Sequence, residues 1–136
     1  MWLNATAQMG LRAVVYLSGQ NRELMIPVEE IAAAVDLPRN YLSKTLGALR
    51  RAGVLDASRG PRGGFRLARP ASEITLGEVV APFAPHGDRR CLLGRDDCGK
   101  GEPCPAHEQW SEVAGMVEKY LAETTIAKLK VKASNR

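Results

Sequence analysis

All three cysteines of the chain fall in one stretch, CLLGRDDCGKGEPCPAH, residues 91–107, and one of the two histidines closes it. Six residues separate Cys91 from Cys98, and five separate Cys98 from Cys104. His107 lies three residues beyond Cys104, about one helical turn, so both can face one centre. Thiolates are soft ligands that suit iron–sulfur clusters or zinc. The spacing lacks the paired C-x-x-C of zinc ribbons, which weakens zinc without removing it. Arg89, Arg90 and Lys100 flank the cysteines, and a helix begins after Cys104. Both features favour thiolates and an anionic group. On residues alone four outcomes stay open: a cluster, a zinc clip, a thiol–disulfide switch, or inert loop thiols.

Other chemistry finds little support. No paired carboxylates stand near a basic nucleophile, and no glycine-rich phosphate loop is present. The second histidine, His86, sits alone in APHGD. Enzymatic catalysis is therefore not expected. No apolar run approaches the roughly 18 residues of a membrane span. The first twenty residues lack a basic region ahead of their apolar part, so the expected compartment is the cytoplasm, where thiols stay reduced.

The charge is unevenly placed. The formal net charge is +4, yet residues 36–69 alone carry eight Lys/Arg against two Asp, a surplus of six. A basic segment in an otherwise near-neutral chain is the footprint of a polyanion-binding surface. Aromatics make up only 5% of the residues, too few for a single-strand stacking platform.

The elements that must position these groups follow from periodicity. Leu3, Ala7, Leu11, Val14 and Val15 mark a first helix over 4–18. An extended stretch over 24–26 leads to Pro27, which opens a second helix, VEEIAAAV. After DLP a third helix follows, with Pro38 in its first position. It buries Leu42, Thr45, Leu46 and Leu49, and Gly53 ends it. Its other faces carry Arg39, Asn40, Ser43, Lys44, Arg50 and Arg51.

Two helices across so short a joint form a helix-turn-helix or an ordinary αα-hairpin, and the pattern of these two alone fits both. A hairpin follows at once, from Val54 and Leu55 through Gly60–Gly64 to Phe65 and Leu67, with arginines at 59, 62 and 66. Helix-turn-helix plus basic hairpin is a winged helix: one helix enters the major groove and a wing arginine reaches the minor groove. Thr75 and Glu78 then form a capping box for a short helix from about Leu76. Pro105 starts the longest helix, with Trp110, Val113, Val117, Tyr120 and Leu121 as one apolar stripe. Such a stripe calls for a second copy of the chain in a twofold dimer, with part of it expected to pack back on its own chain. The tail TTIAKLKVKASNR begins a short helix and then frays.

The segment VEEIAAAVDLPRNYLSKTLGALRRAGVLDASRGPRGGFRLARPASEITLGEVV resembles the winged-helix core of the bacterial Rrf2 family of transcription regulators. YLSKTLGALRRAGVL and SRGPRGGFRLARP are its most specific signatures, and the likeness runs from the first helix to TTIAKL. The resemblance implies a mainly α fold with a small β-hairpin wing: a winged helix-turn-helix DNA-binding domain over 1–84, a cysteine-rich loop over 85–107, and a dimerisation helix with its tail over 108–136. It implies a homodimeric, DNA-binding repressor on a near-palindromic operator, sensing iron, redox state or nitric oxide through an iron–sulfur cluster. The alternative is a cluster-free regulator of the same family, acting through thiol oxidation or zinc.

The resemblance also assigns residues. Asn40, Ser43 and Lys44 map to the base-reading turns, with Lys suited to G and Asn to A. On charge and position alone, apart from the resemblance, Arg39, Arg50 and Arg51 are expected to hold phosphates. Arg59 takes the place of the minor-groove arginine, and Arg62 departs from the family's more usual glycine. Cys91, Cys98 and Cys104 map to the cluster ligands, and His107 matches a histidine that some members use as the fourth. Others use an acidic residue of the partner's first helix, where Gln8 stands in this chain. Glu102, Asp96, Asp97, His86 or a solvent ligand complete the alternatives. A Cys-Cys-Cys-His set favours [2Fe–2S] over [4Fe–4S], although the extra residue between Cys91 and Cys98 departs from the commonest spacing.

Overall fold

The computed structural model describes residues 3–84, 91–95 and 102–129. Helix α1, Ala5–Ser18, starts where the Asn4 side chain accepts the Ala7 N–H at 2.8 Å. It buries Ala7, Gly10, Ala13, Val14 and Leu17. Helix α2, Val28–Val35, carries Glu29 and Glu30 in its first turn, where the helix dipole favours negative charge. Asp36 then turns left-handed at φ +54°, a conformation Asp tolerates better than most residues, and the Leu37 N–H closes onto Ala32 O at 3.0 Å. Helix α3 follows as Arg39–Arg51.

Pro27 and Pro38 stand one place earlier than expected. Each caps its helix with extended backbone instead of occupying the first helical position. Either site suits proline, because neither needs its missing N–H. On α3, Leu42, Leu46 and Leu49 are fully buried, each contributing about 2 kcal/mol by burial. Thr45 is buried beside them, its hydroxyl 3.2 Å from Tyr41 O and 3.4 Å from Met9 Sδ. Gly53, at φ +82°, ends α3 as expected: its N–H reaches Arg50 O, and the Val54 N–H reaches Leu49 O.

The wing is β1, Leu55–Ser58, antiparallel to β2, Gly64–Leu67. It starts one residue later than the alternation indicated, because the Val54 N–H is taken by the end of α3. Gly60 and Gly64 hold positive φ, as the turn requires. Of the extended stretch over 24–26, Ile26 alone pairs with the wing. It exchanges backbone hydrogen bonds with Phe65, both 2.9 Å, whereas Leu24 is exposed. A side chain at Gly64 would collide with Ile26 O at 2.2 Å, so only glycine allows this approach.

Helix α4, Leu76–Val80, has the full capping box. Thr75 Oγ1 accepts the Glu78 N–H, and Glu78 Oε2 accepts the Thr75 N–H. Helix α5, His107–Glu123, begins two residues after Pro105. The chain then returns to the core. Leu76 N–H bonds Thr124 O, Ile126 N–H bonds Ile74 O, and the turn Ile126–Leu129 packs with Ile126 fully buried.

The apolar stripe of α5 needs correction. Ala114 is buried and Leu121 packs on the core, but Val113 and Tyr120 are exposed, together with Met116. The helix therefore has an inward face and a separate outward apolar face. No helix among the described residues is long and apolar enough to cross a membrane. The mainly helical fold with a two-stranded wing is the one the sequence indicated.

Replacing Gly64 with Ala should destabilise the protein by about 2 kcal/mol, from backbone strain plus the clash with Ile26 O. Thermal unfolding checks this. Gly53→Ala, where nothing lies within 4 Å of the added carbon, should lower the midpoint less.

Candidate functional site

The basic residues of α3 sort onto two faces. Asn40 and Lys44 are exposed, one turn apart, opposite the buried leucine stripe. Gly47 continues that face, and with Arg39, Ser43 and Arg50 it borders the side of α3 turned toward the wing. They line a groove of about 710 Å3 whose other wall is Pro27–Glu29 and the wing residues Ala57–Pro61 and Gly63–Phe65. Arg59 lies on that wing wall, and Arg62 is exposed at the tip. The structure thus brings Arg39, Ser43, Arg50 and Arg59 around one groove, with Asn40 and Lys44 on the adjoining outer face.

Not every arginine faces outward. Arg39 Nε donates to Glu29 Oε1 at 2.8 Å, tying α3 to the first turn of α2. A backbone hydrogen bond, and then Arg39, holds the Glu29 carboxyl below the usual carboxylate range. Arg66 pairs across the wing strands with Asp56 at 3.7 Å. Arg69 holds Glu78 Oε1 and Glu73 O. Arg66 and Arg69 therefore brace the wing and its exit, while Arg59 and Arg62 occupy the tip.

Sequence reasoning missed Glu29 as the partner of Arg39. The signal was an acid in the first turn of α2, across the short joint from the first residue of α3. It also missed Tyr41, which is 67% exposed on α3 and falls off the buried stripe.

At the cysteine loop, Cys91 Sγ and Cys104 Sγ lie 3.5 Å apart, although thirteen residues separate them in sequence. Two thiolates bound to one tetrahedral metal at about 2.3 Å would sit roughly 3.8 Å apart. This pair therefore fits a shared metal centre with little adjustment. Cys104 is buried and Cys91 partly so. Cys104 O accepts the His107 N–H at 3.0 Å, which places the second cysteine directly under the first turn of α5.

Cys98 lies outside the described residues, as do His86, Arg89, Arg90, Asp96, Asp97 and Lys100. Among the described residues no three His, Cys, Asp or Glu side chains converge as a metal-binding group. His107 is half-buried at the head of α5, and Gln8 is exposed on α1.

The chain matches the Rrf2 family, described as iron-dependent transcriptional regulators, over residues 3–132. A relative in Aquifex aeolicus bears the name of an HTH-type transcriptional regulator. It is 34% identical over 135 residues, covering 95% of this chain and 91% of its own. The regulator IscR of Vibrio atlanticus is 28% identical over 129 residues, covering 95% of this chain and 75% of its own. Among solved structures, CymR, the global cysteine regulator of B. subtilis, superposes with a TM-score of 0.78 at 24% identity, over 96% of both chains; at that identity it speaks for the fold alone. With its winged helix, its basic groove and a family match across nearly its whole length, the chain belongs to the Rrf2 family and is a DNA-binding transcriptional regulator, not an enzyme.

Proposed function

We propose that this regulator is a cytoplasmic homodimeric repressor whose DNA affinity is set by an iron–sulfur cluster on Cys91, Cys98, Cys104 and His107. The carrying observation is the approach of Cys91 Sγ and Cys104 Sγ to 3.5 Å at the foot of α5. The likeness to IscR supports the same reading. When bound, an iron–sulfur cluster, [2Fe–2S] by preference, supplies a centre that responds to iron, oxidants and nitric oxide.

The chain's own residues carry the consequence. Cys91 and Cys104 hold the loop against the start of α5. The outward face of α5, Val113, Met116 and Tyr120, meets its copy across a twofold axis. The two α3 helices are thereby spaced for a near-palindromic operator. Asn40, Ser43 and Lys44 read base edges, Arg39 and Arg50 hold phosphates, and Arg59 enters the minor groove with Arg62 adding charge at the wing tip. A change in ligation shifts the loop and α5, and a few kcal/mol of preference between two such states switches occupancy.

A second reading rests on the same pair. Thiols 3.5 Å apart can close to a disulfide: two thiols and one peroxide give the disulfide and two waters. Such a regulator responds to peroxide and not to iron. A zinc clip on the same thiols is the remaining alternative.

Anaerobic reconstitution of the full chain with iron and sulfide should produce visible absorbance. Cys91→Ala, Cys98→Ala and Cys104→Ala should each abolish it, and His107→Ala should shift it. Unchanged spectra in all three cysteine variants would sink the cluster. Loss of free thiols on peroxide treatment, with no iron uptake, would favour the disulfide.

DNA binding separates the two kinds of contact. Arg50→Ala should lower the slope of log affinity against log salt by about 1. Lys44→Ala should cost about 1–3 kcal/mol on the cognate site and relax discrimination at one base pair. Titrations at several salt concentrations decide both.

Met116→Glu, on the outward face of α5, should convert the dimer to monomer in light scattering while leaving the helical circular dichroism intact.

A further inference from the structure

Gly47 interrupts the middle of α3 without any internal need for glycine. Its φ is not positive, unlike that of Gly53, Gly60 or Gly64. A Cβ built on it would meet nothing closer than Arg51 Nη1 at 3.6 Å, ordinary contact with the far end of a flexible side chain. By contrast, Gly10 is crowded by Phe83 at 3.0 Å, and Gly77 by Leu121 O at 3.3 Å. Those two glycines are explained by packing; Gly47 is not. Glycine also weakens a helix relative to alanine, through backbone entropy and lost side-chain contact. An alanine at 47 would therefore fit the protein and strengthen α3.

What sets Gly47 apart is its place. It lies one turn beyond Lys44 and two beyond Asn40, at the i, i+4, i+7 spacing of one helix face. It also lines the groove shared with Arg39, Ser43, Arg50 and Arg59. A gap in side-chain cover, flanked by three guanidinium groups, matches one occupant by charge and shape: a deoxyribose–phosphate strand.

We infer that Gly47 is a DNA-contact position, where the absent side chain lets one DNA strand approach the α3 backbone while Arg39 and Arg50 hold its phosphates. This rests on the groove between α3 and the wing being the DNA surface. The role is steric. A methyl group at 47 lifts the strand and lengthens every neighbouring contact together, and no side-chain rearrangement in the groove restores them.

The test pairs Gly47→Ala with Gly115→Ala, a glycine of α5 with nothing within 4 Å of the added carbon. Both variants should melt about 3 °C higher than the parent chain. The DNA probes are a duplex selected in vitro by the parent chain and a random-sequence duplex of equal length. Gly47→Ala should weaken binding to the selected duplex by about tenfold or more, as expected for overpacking a close contact. Gly115→Ala should leave binding unchanged. Binding by Gly47→Ala within about twofold of the parent would overturn the inference, and so would a drop in its melting temperature, which would give the glycine an internal structural role. A parent chain that selects no duplex and shows no salt-dependent binding would overturn the groove reading itself, a distinct failure.

Discussion

The wing is set against the start of α2 by one backbone exchange, the paired hydrogen bonds of 2.9 Å between Ile26 and Phe65. A two-stranded hairpin is marginal by itself in water. Here it gains a third segment at its edge, and Ile26 is buried where the two meet. The next residue is Pro27, which has no N–H to continue the ladder and instead caps α2. One bridge therefore fixes the wing, the start of α2 and the place of Glu29 in its first turn. Glu29 in turn holds Arg39 at the head of α3. Both walls of the groove descend from the same two hydrogen bonds, and Gly64 is what allows them to form.

The charge of the groove is smaller than the sequence count implies. Residues 36–69 carry eight Lys/Arg, but Arg39, Arg66 and Arg69 each pair with a carboxylate inside the chain. These pairs are solvent-exposed, with side-chain exposures from 36% to 64%, and exposed pairs contribute little to stability. Arg39 can therefore exchange Glu29 for a phosphate at small cost. The pair presents Arg39 to the groove, and the carboxylate tempers attraction to any polyanion that brings phosphates but no matching base edges.

The helix-turn-helix and wing were legible in the sequence because local rules agree there. The leucine period of α3, Gly53 at its end, the glycines of the wing turn and the Thr75–Glu78 box each appear where local chemistry placed them. The boundary shifts at Pro27, Pro38 and Val54 come from a competition that propensity cannot resolve, namely which partner takes a given N–H. The α5 stripe was misread for a different reason. Its apolar residues cover two adjacent faces, and only the return of Thr124–Leu129 onto residues 74–76 decides which face turns inward. The Glu29–Arg39 pair was hidden because it joins two helices across a turn whose left-handed Asp36 sets their angle. At the cysteine loop, composition identified the thiols, but no sequence rule brings Cys91 to within 3.5 Å of Cys104.

That approach matters because of what lies at each end of the loop. On the entry side, Phe83 packs into the space that Gly10 leaves open, beside Thr45 and Leu49 of α3, and its carbonyl accepts the Asn4 side chain at 3.0 Å. On the exit side, Cys104 accepts the first amide of α5. The far end of α5 is clipped to the strand-like segment before α4, and Leu121 O lies against Gly77. Phe83 is thus seated against α3, and Cys104 lies at the root of the helix with the outward apolar face. A bond between Cys91 and Cys104 would tie the two thiols together at the start of α5, while Ala114 and Leu121 hold that helix inward. In the proposed dimer, a change at the thiols would act on α5, the helix whose outward face is proposed to space the two copies of α3.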